Sequence, residues 1–270
     1  MRLFLLRILP VSLIFGSGFL LAGSASATEQ VIAIIIDDIG WRKQDDLHAL
    51  DLPGALTYSI LPQTPNSKFM DEKIHEKGRE VMLHLPMESI KDNNLLGPGA
   101  LTSKMSQEEF MSTLDDDFNS VPNAVGVNNH MGSLLTRDEL AMHRLMNALQ
   151  RPNAPFFINS RTTDTTLPGD VAKLYGIANT SRDVFLDDEL DSQSIINEFR
   201  KLVSIAKAKG SALAIAHPHP ETIETLDYLL SNLKDYGVKL VTITEFMKIR
   251  DRGNYLWHTS SSPSLTAVRN

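Results

Sequence analysis

The sequence predicts an α/β fold built on a parallel sheet or barrel, and three observations carry that expectation. Short β-branched or aliphatic runs recur roughly every 25–35 residues, most of them separated by a helix-like pattern. The runs are continuously apolar rather than alternating, which suits strands buried on both faces. Ionisable and amide side chains follow six of the runs, at the strand ends where a closed βα barrel gathers its functional groups.

The first 27 of the 270 residues stand apart from this pattern. Arg2 and Arg7 precede an apolar stretch over 8–21, and Ala25-Ser26-Ala27 is a small-x-small cleavage signal, so residues 1–27 read as a secretory signal peptide. An uncleaved membrane anchor is the alternative, although the apolar run falls short of the ~20 residues that a span needs. Export implies a periplasmic or secreted protein. Without Arg2 and Arg7 the formal net charge goes from −7 to −9, a sign that argues against nucleic acid as a partner. The absence of cysteine rules out disulfide staples and thiol chemistry.

The expected strands cover residues 31–36, 56–60, 80–85, 124–127, 155–158, 177–180, 212–216 and 238–243. Between them, Ser106 with Glu109 and Thr136 with Glu139 have the spacing of capping boxes, opening helices that reach about Asn119 and Gln150. Residues 195–209 and 222–235 are the other clear helices, and Gly78 and Gly210 fit helix stops. Residues 92–103, with Gly97-Pro98-Gly99, form a long loop of the kind that can serve as a lid. The acidic runs 115–117 and 187–189 read as solvated faces, although the second begins close to the expected barrel mouth. With no internal linker, residues 28–252 are expected to form one barrel domain and 253–270 a frayed, disordered tail.

The residues at the strand ends are Asp37-Asp38, His84, Asn128-Asn129-His130, Ser160-Arg161, Arg182-Asp183, and His217 with His219. Two adjacent carboxylates repel each other unless a positive charge offsets them, and a divalent metal would do so. An Asp pair also caps helices, so the pair alone is a weak signal. Histidine at three strand ends beside that pair favours a metal site with imidazole and carboxylate ligands, the donor set zinc prefers. His48, His75 and His143 fall in helical patterns and His258 in the tail, away from this constellation. No Gly-x-Ser-x-Gly elbow, phosphate-binding glycine loop or nucleophilic cysteine is present, which leaves serine-esterase, nucleotidase and thiol chemistries without support.

The stretches Ile32–Gly40 (IAIIIDDIG), Glu80–Met87 (EVMLHLPM), Gly126–Ser133 (GVNNHMGS), Arg182–Leu186 (RDVFL) and Ala216–Pro220 (AHPHP) together resemble the divergent polysaccharide deacetylases. The resemblance implies a distorted (β/α)7 barrel and a metal-dependent esterase acting on N- or O-acetyl groups of an envelope glycan or a peptidoglycan-derived sugar. It implies Asp37 as base, Asp38 and His84 as ligands of a divalent metal, expected to be Zn2+, and His217 as acid. His130 is assigned as a third ligand from its place at the end of the fourth strand. Asn129, Arg161, Arg182, Asp183 and His219 are expected to bind substrate or support the site. Two positions depart from the family pattern: Asn159 stands where Asp is usual before Ser-Arg, and Ala216 where Gly is usual before His. A barrel that binds glycan without turnover, and a metal hydrolase of a non-sugar amide or ester, are the competing readings.

Overall fold

The computed structural model describes residues 29–151, 156–163 and 167–250. The signal-peptide reading and the tail reading therefore fall outside the described residues. The chain alternates strands and helices: β1 (Val31–Ile39), α1 (Lys43–Leu50), β2 (Thr57–Ile60), α2 (Ser67–Glu76), β3 (Glu80–Met87), α3 (Gln107–Ser120), β4 (Ala124–Met131), α4 (Glu139–Ala148), β5 (Phe156–Asn159), α5 (Pro168–Leu174), β6 (Ala178–Ser181), β7 (Val184–Phe185), α6 (Ser192–Lys209), β8 (Ser211–Ala216), α7 (Pro220–Ser231) and β9 (Lys239–Leu240). All pairings are parallel, in the order β6-β5-β4-β3-β2-β1-β8-β7, with β9 added to β1.

This is the curled βα barrel expected from the strand pattern, with a seam between β6 and β7. Those strands do not pair among the described residues, and the chain steps from one to the other through Arg182 and Asp183. Arg250 braces the seam from below, donating to Thr180 Oγ1 and to the Asp183 carboxylate.

Side-chain alternation sorts the strands into two cores. Ile32, Ile34 and Ile36 of β1 pack outward with helix residues such as Leu50 and Met70. Val31, Ala33 and Ile35 point inward, with Met82 of β3, Phe156 and Ile158 of β5, and Leu213 and Ile215 of β8. Ile243, Phe246 and Met247 fill the bottom of this inner core. A period of two then dictates what comes next on the inner face. Beyond the last apolar residue stand Asp37, His84, Ser160 and His217, so one parity rule carries four strands from a dry base to a polar mouth.

Most expected strands and helices are present, and the differences have local causes. The strands β1, β3 and β4 run on through their polar ends because those ends still pair with neighbours. The short strand β7 is an addition to the expected set; its two residues are too few for a periodicity. After β9 the Val241 amide still donates to the Ile32 carbonyl, and the chain then turns so that Ile243 plugs the barrel base, which makes the last strand shorter than its apolar run. The expected helix over 222–235 starts earlier, at Pro220, and ends as a separate turn over Leu233–Tyr236.

Ser106 and Glu109 form the expected capping box of α3. Thr136 does not cap α4: its hydroxyl donates to the Gly132 carbonyl, and Asp138 caps the helix by accepting from the Ala141 amide. Residues 92–103 are pinned rather than free, since Leu101 bridges to Met87 and the Glu88 carboxylate accepts from the Ser103 amide and hydroxyl. The run 115–117 is only partly a solvated face. Asp117 is fully buried, accepts from Gln63 Nε2, and burial pushes its carboxyl up to about 8. Gly99 lies against it so closely that a Cβ there would overlap its oxygens.

Candidate active site

The mouth of the barrel is a cavity of about 470 Å3 lined by Asp37, Asp38, His84, Asn129, His130, Met131, Ser160, Thr162, Arg182, Phe185, Asp188, Ile215 and His217. Strict alternation would turn Asp38 away from Asp37. The register between β1 and β2 slips after Ile36, and Asp38 takes a left-handed φ of 60°, a conformation that Asp tolerates better than most residues. The slip lets both neighbouring carboxylates reach the mouth. Met131 and Arg161 are also left-handed, so the chain turns at non-glycine residues at three strand ends around the mouth, a form of strain that concentrates at functional sites.

Asp38, His84 and His130 converge. Asp38 Oδ1 lies 3.2 Å from His84 Nε2 and 3.0 Å from His130 Nδ1, and those two nitrogens are 3.2 Å apart. The ligand atoms of the three residues all lie within 4.8 Å of one another. Asp38 Oδ1 is buried and takes no well-aligned hydrogen bond, although both ring nitrogens lie against it. Burial alone would raise the Asp38 carboxyl; the His130 and His84 rings outweigh it and hold it well below the usual carboxylate range. Burial alone would lower His84, but Asp37 and Asp38 raise it. A carboxylate kept ionised and an imidazole drawn toward its charged form mark a point where positive charge is favoured. The residues fit a divalent cation: two imidazoles and one carboxylate whose buried Oδ1 has no hydrogen-bond partner.

Asn128 ties this trio to Asp37. Its Nδ2 donates to both Asp37 oxygens at 2.9 and 3.0 Å, and its Oδ1 is 2.9 Å from His84 Nδ1. Ser59 Oγ donates to the same Oδ1. Because Oδ1 only accepts, His84 keeps a proton on Nδ1, so Nε2 is the nitrogen that could turn a lone pair to a cation, the outer partnership that orients metal-binding histidines. Burial pushes the Asp37 carboxyl above its usual range, against the pull of His84 and His217.

His217 approaches from the opposite wall. Its amide donates to Asp187 Oδ2 at 2.6 Å and its Nδ1 lies 3.0 Å from Asp187 Oδ1. Thr222 Oγ1 donates to Asp187 Oδ2, so that carboxylate is fixed and fully buried. Burial alone would lower His217; the Asp187 carboxylate outweighs it and pushes the ring up to about 9. Asp187 is therefore not the solvated residue its acidic run suggests. Phe185 packs on His217 with ring centres 5.0 Å apart.

The remaining candidates divide. Asn129 shapes the loops, donating to the Met131 carbonyl and accepting from the Ser160 amide. Arg182 lines the cavity and clamps its rim, donating to the Ser160 and Arg161 carbonyls. Arg161 is exposed and does not line the cavity. Asp183 also lies outside it, taken up by Arg250 and the Leu213 amide, because the seam needs a counter-ion there. His219 sits at the start of α7 with its Nδ1 3.4 Å from Arg42 Nη2, and does not line the cavity either. Asn159 is buried on the outward parity of β5, and its Oδ1 accepts from the Arg161 amide at 2.9 Å, a bond open to an amide oxygen as well as to a carboxylate.

Sequence reasoning places Asn128 at a strand end without giving it a role, and takes Asp187 for part of a solvated run. Parity would find the first, since Asn128 and His130 share a face. Nothing local distinguishes Asp187 from its acidic neighbours; only its contact with His217 does.

The family model for divergent polysaccharide deacetylases matches residues 34–247. An uncharacterized protein of Escherichia coli K12, YibQ, is 36% identical over 214 residues, covering 79% of this chain; the chain spans 66% of that protein's length. The crystal structure of the uncharacterized protein ATU2773 from Agrobacterium tumefaciens C58 superposes with a TM-score of 0.77 at 21% identity, over 82% of this chain and 91% of that one. A mutant of BA3943, a CE4 family pseudoenzyme with restored enzymatic activity, superposes with a TM-score of 0.51 at 15% identity, over 81% of this chain and 68% of that one. At those identities the two structures speak for the fold alone. The match along nearly all of the described barrel decides the lineage: the chain belongs to the divergent polysaccharide deacetylase family.

Proposed function

We propose that the protein is a metal-dependent deacetylase that removes N- or O-acetyl groups from an envelope glycan or peptidoglycan-derived sugar, working in the periplasm or outside the cell. The observation that carries this reading is the division of one cavity into three parts: the converging trio Asp38, His84 and His130, the buried carboxylate Asp37, and the carboxylate-paired His217. A divalent ion held by the trio, Zn2+ by its donor chemistry, would supply Lewis-acid polarisation of the acetyl carbonyl.

The chain's own groups divide the proton transfers. Asp37, desolvated and held by Asn128, takes the proton from the attacking water. His217, kept protonated near neutral pH by Asp187, gives its proton to the departing amine or alcohol. Phe185 and Ile215 line the cavity beside His217 and offer an apolar wall to the acetyl methyl group. Arg182 holds the Ser160 and Arg161 carbonyls in place and so keeps the rim shaped around the substrate.

The test is acetate release from a panel of acetylated glycans by the purified protein with added zinc. Release that depends on zinc and on Asp37 supports the reading. Glycan binding with no acetate released would give the non-catalytic alternative instead, and release from simple amides or esters alone would give the non-sugar hydrolase.

A further inference from the structure

A second cavity of about 380 Å3 lies beside the first, between β7 and α6. Arg182, Phe185 and Asp188 line both, so the two form one depression with a shared wall. We propose that this second cavity is a subsite for the neighbouring sugar unit of a glycan whose acetylated unit occupies the active-site cavity. The proposal rests on the deacetylase reading and adds a direction: the chain runs from His217 past Phe185 onto α6.

The size is sufficient, since ligand clefts begin at about 300 Å3. The lining chemistry selects the ligand. From α6 it presents the Ser194 hydroxyl, the Asn197 amide and the Lys201 ammonium, and from the β7 side Asp188 and Glu189. Donors and acceptors are interspersed, which matches sugar hydroxyls that do both. An acyl chain or a flat apolar ligand would strip these groups of water and leave them unpaired, at a cost of ~1–3 kcal/mol each. Part of the charge is settled within the wall, since Lys201 pairs with Glu198 at 2.9 Å and Asp183 with Arg250. Glu189 is fixed by the Ser194 hydroxyl at 2.8 Å. Asp188, on the shared wall, is exposed and makes no hydrogen bond among the described residues, leaving an acceptor between the two units.

Calorimetric titration of the zinc-loaded full chain with N-acetylglucosamine and with its β-1,4-linked trimer tests the proposal. The trimer is expected to bind at least about tenfold more tightly than the monomer, roughly the return on one further set of hydrogen bonds. Asn197→Trp, at an exposed helix position, fills the cavity. It should abolish that gain while leaving monomer affinity and melting temperature unchanged, and Lys201→Trp should do the same from one turn further along. Equal binding of monomer and trimer, or a trimer preference that survives both substitutions, overturns the subsite while the deacetylase reading stands. Binding of neither sugar overturns both.

Discussion

The two histidine-bearing walls of the cavity differ in how complete they are. On the β1, β3 and β4 side, His84 and His130 point nitrogen atoms at each other and at one buried Asp38 oxygen. On the β8 side, His217 is matched atom by atom to Asp187, which is itself held by Thr222. The first arrangement gathers three ligand atoms around one point, and the second pairs a ring with its own counter-charge. The proposed function accordingly gives the metal to the first wall and proton donation to the second. The comparison can be broken in several places.

The largest effect is expected from the two groups to which the proposed function gives the proton transfers. His217→Ala and Asp37→Asn should each lower kcat by ~10²–10⁴-fold in an acetate-release assay. Loss of less than tenfold in either would remove that residue from the proton transfers.

Next comes the link between the walls. Asn128→Ala frees both the Asp37 oxygens and His84 Nδ1, so zinc affinity measured by chelator competition should fall ~10–100-fold, the usual cost of losing an outer partner of a ligand. Ser59→Ala removes a donor to the same Asn128 oxygen and should cost less.

The Asp187 pairing makes a pH prediction. His217 titrates at about 9 in the folded protein against an ordinary value of 6.5. A raised folded value means that its contribution to stability is fully present below pH 6.5 and is lost as pH rises through about 9. The melting temperature should therefore decline across that window. In Asp187→Asn the His217 ring, followed by NMR, should titrate closer to 6.5, and the decline should flatten. An unchanged His217 titration would show that Asp187 does not set it.

The smallest effect is expected at Asn159. Its Oδ1 accepts from a backbone amide on the outward face of β5, so Asn159→Asp should change zinc affinity and kcat by less than the ~10-fold that marks an outer partner of the metal ligands. A large gain in activity on restoring the Asp would instead favour the non-catalytic reading of this chain.

Much of the fold and half of the site are legible in the amino-acid sequence. Apolar runs such as the one at Ile32, Ile34 and Ile36 announce buried strands because the backbone alternates whatever the tertiary context. The polar residues closing those runs, Asp37, His84, His130 and His217, fall where a barrel places its functional groups. Whatever depends on a partner far along the chain does not show. Asp187 looks like any acid in an acidic run until His217, thirty residues away, is folded beside it. Asp183 looks like a site residue until Arg250 claims it. Asp117 looks solvated until Gly99 and Gln63 close over it. Thr136 has cap spacing, yet the sharp turn at Gly132 captures its hydroxyl first.

The central claim, that one wall holds a metal and the other moves a proton, is tested most directly by metal content. Wild type, Asp37→Asn, Asp38→Asn, His84→Ala, His130→Ala and His217→Ala would each be exposed to zinc, dialysed, and measured by elemental analysis. The account predicts about one zinc per chain in wild type, Asp37→Asn and His217→Ala, and strongly reduced zinc in the other three. A metal-free His217→Ala beside a loaded His130→Ala would exchange the two walls, and normal loading in all six would contradict the site altogether.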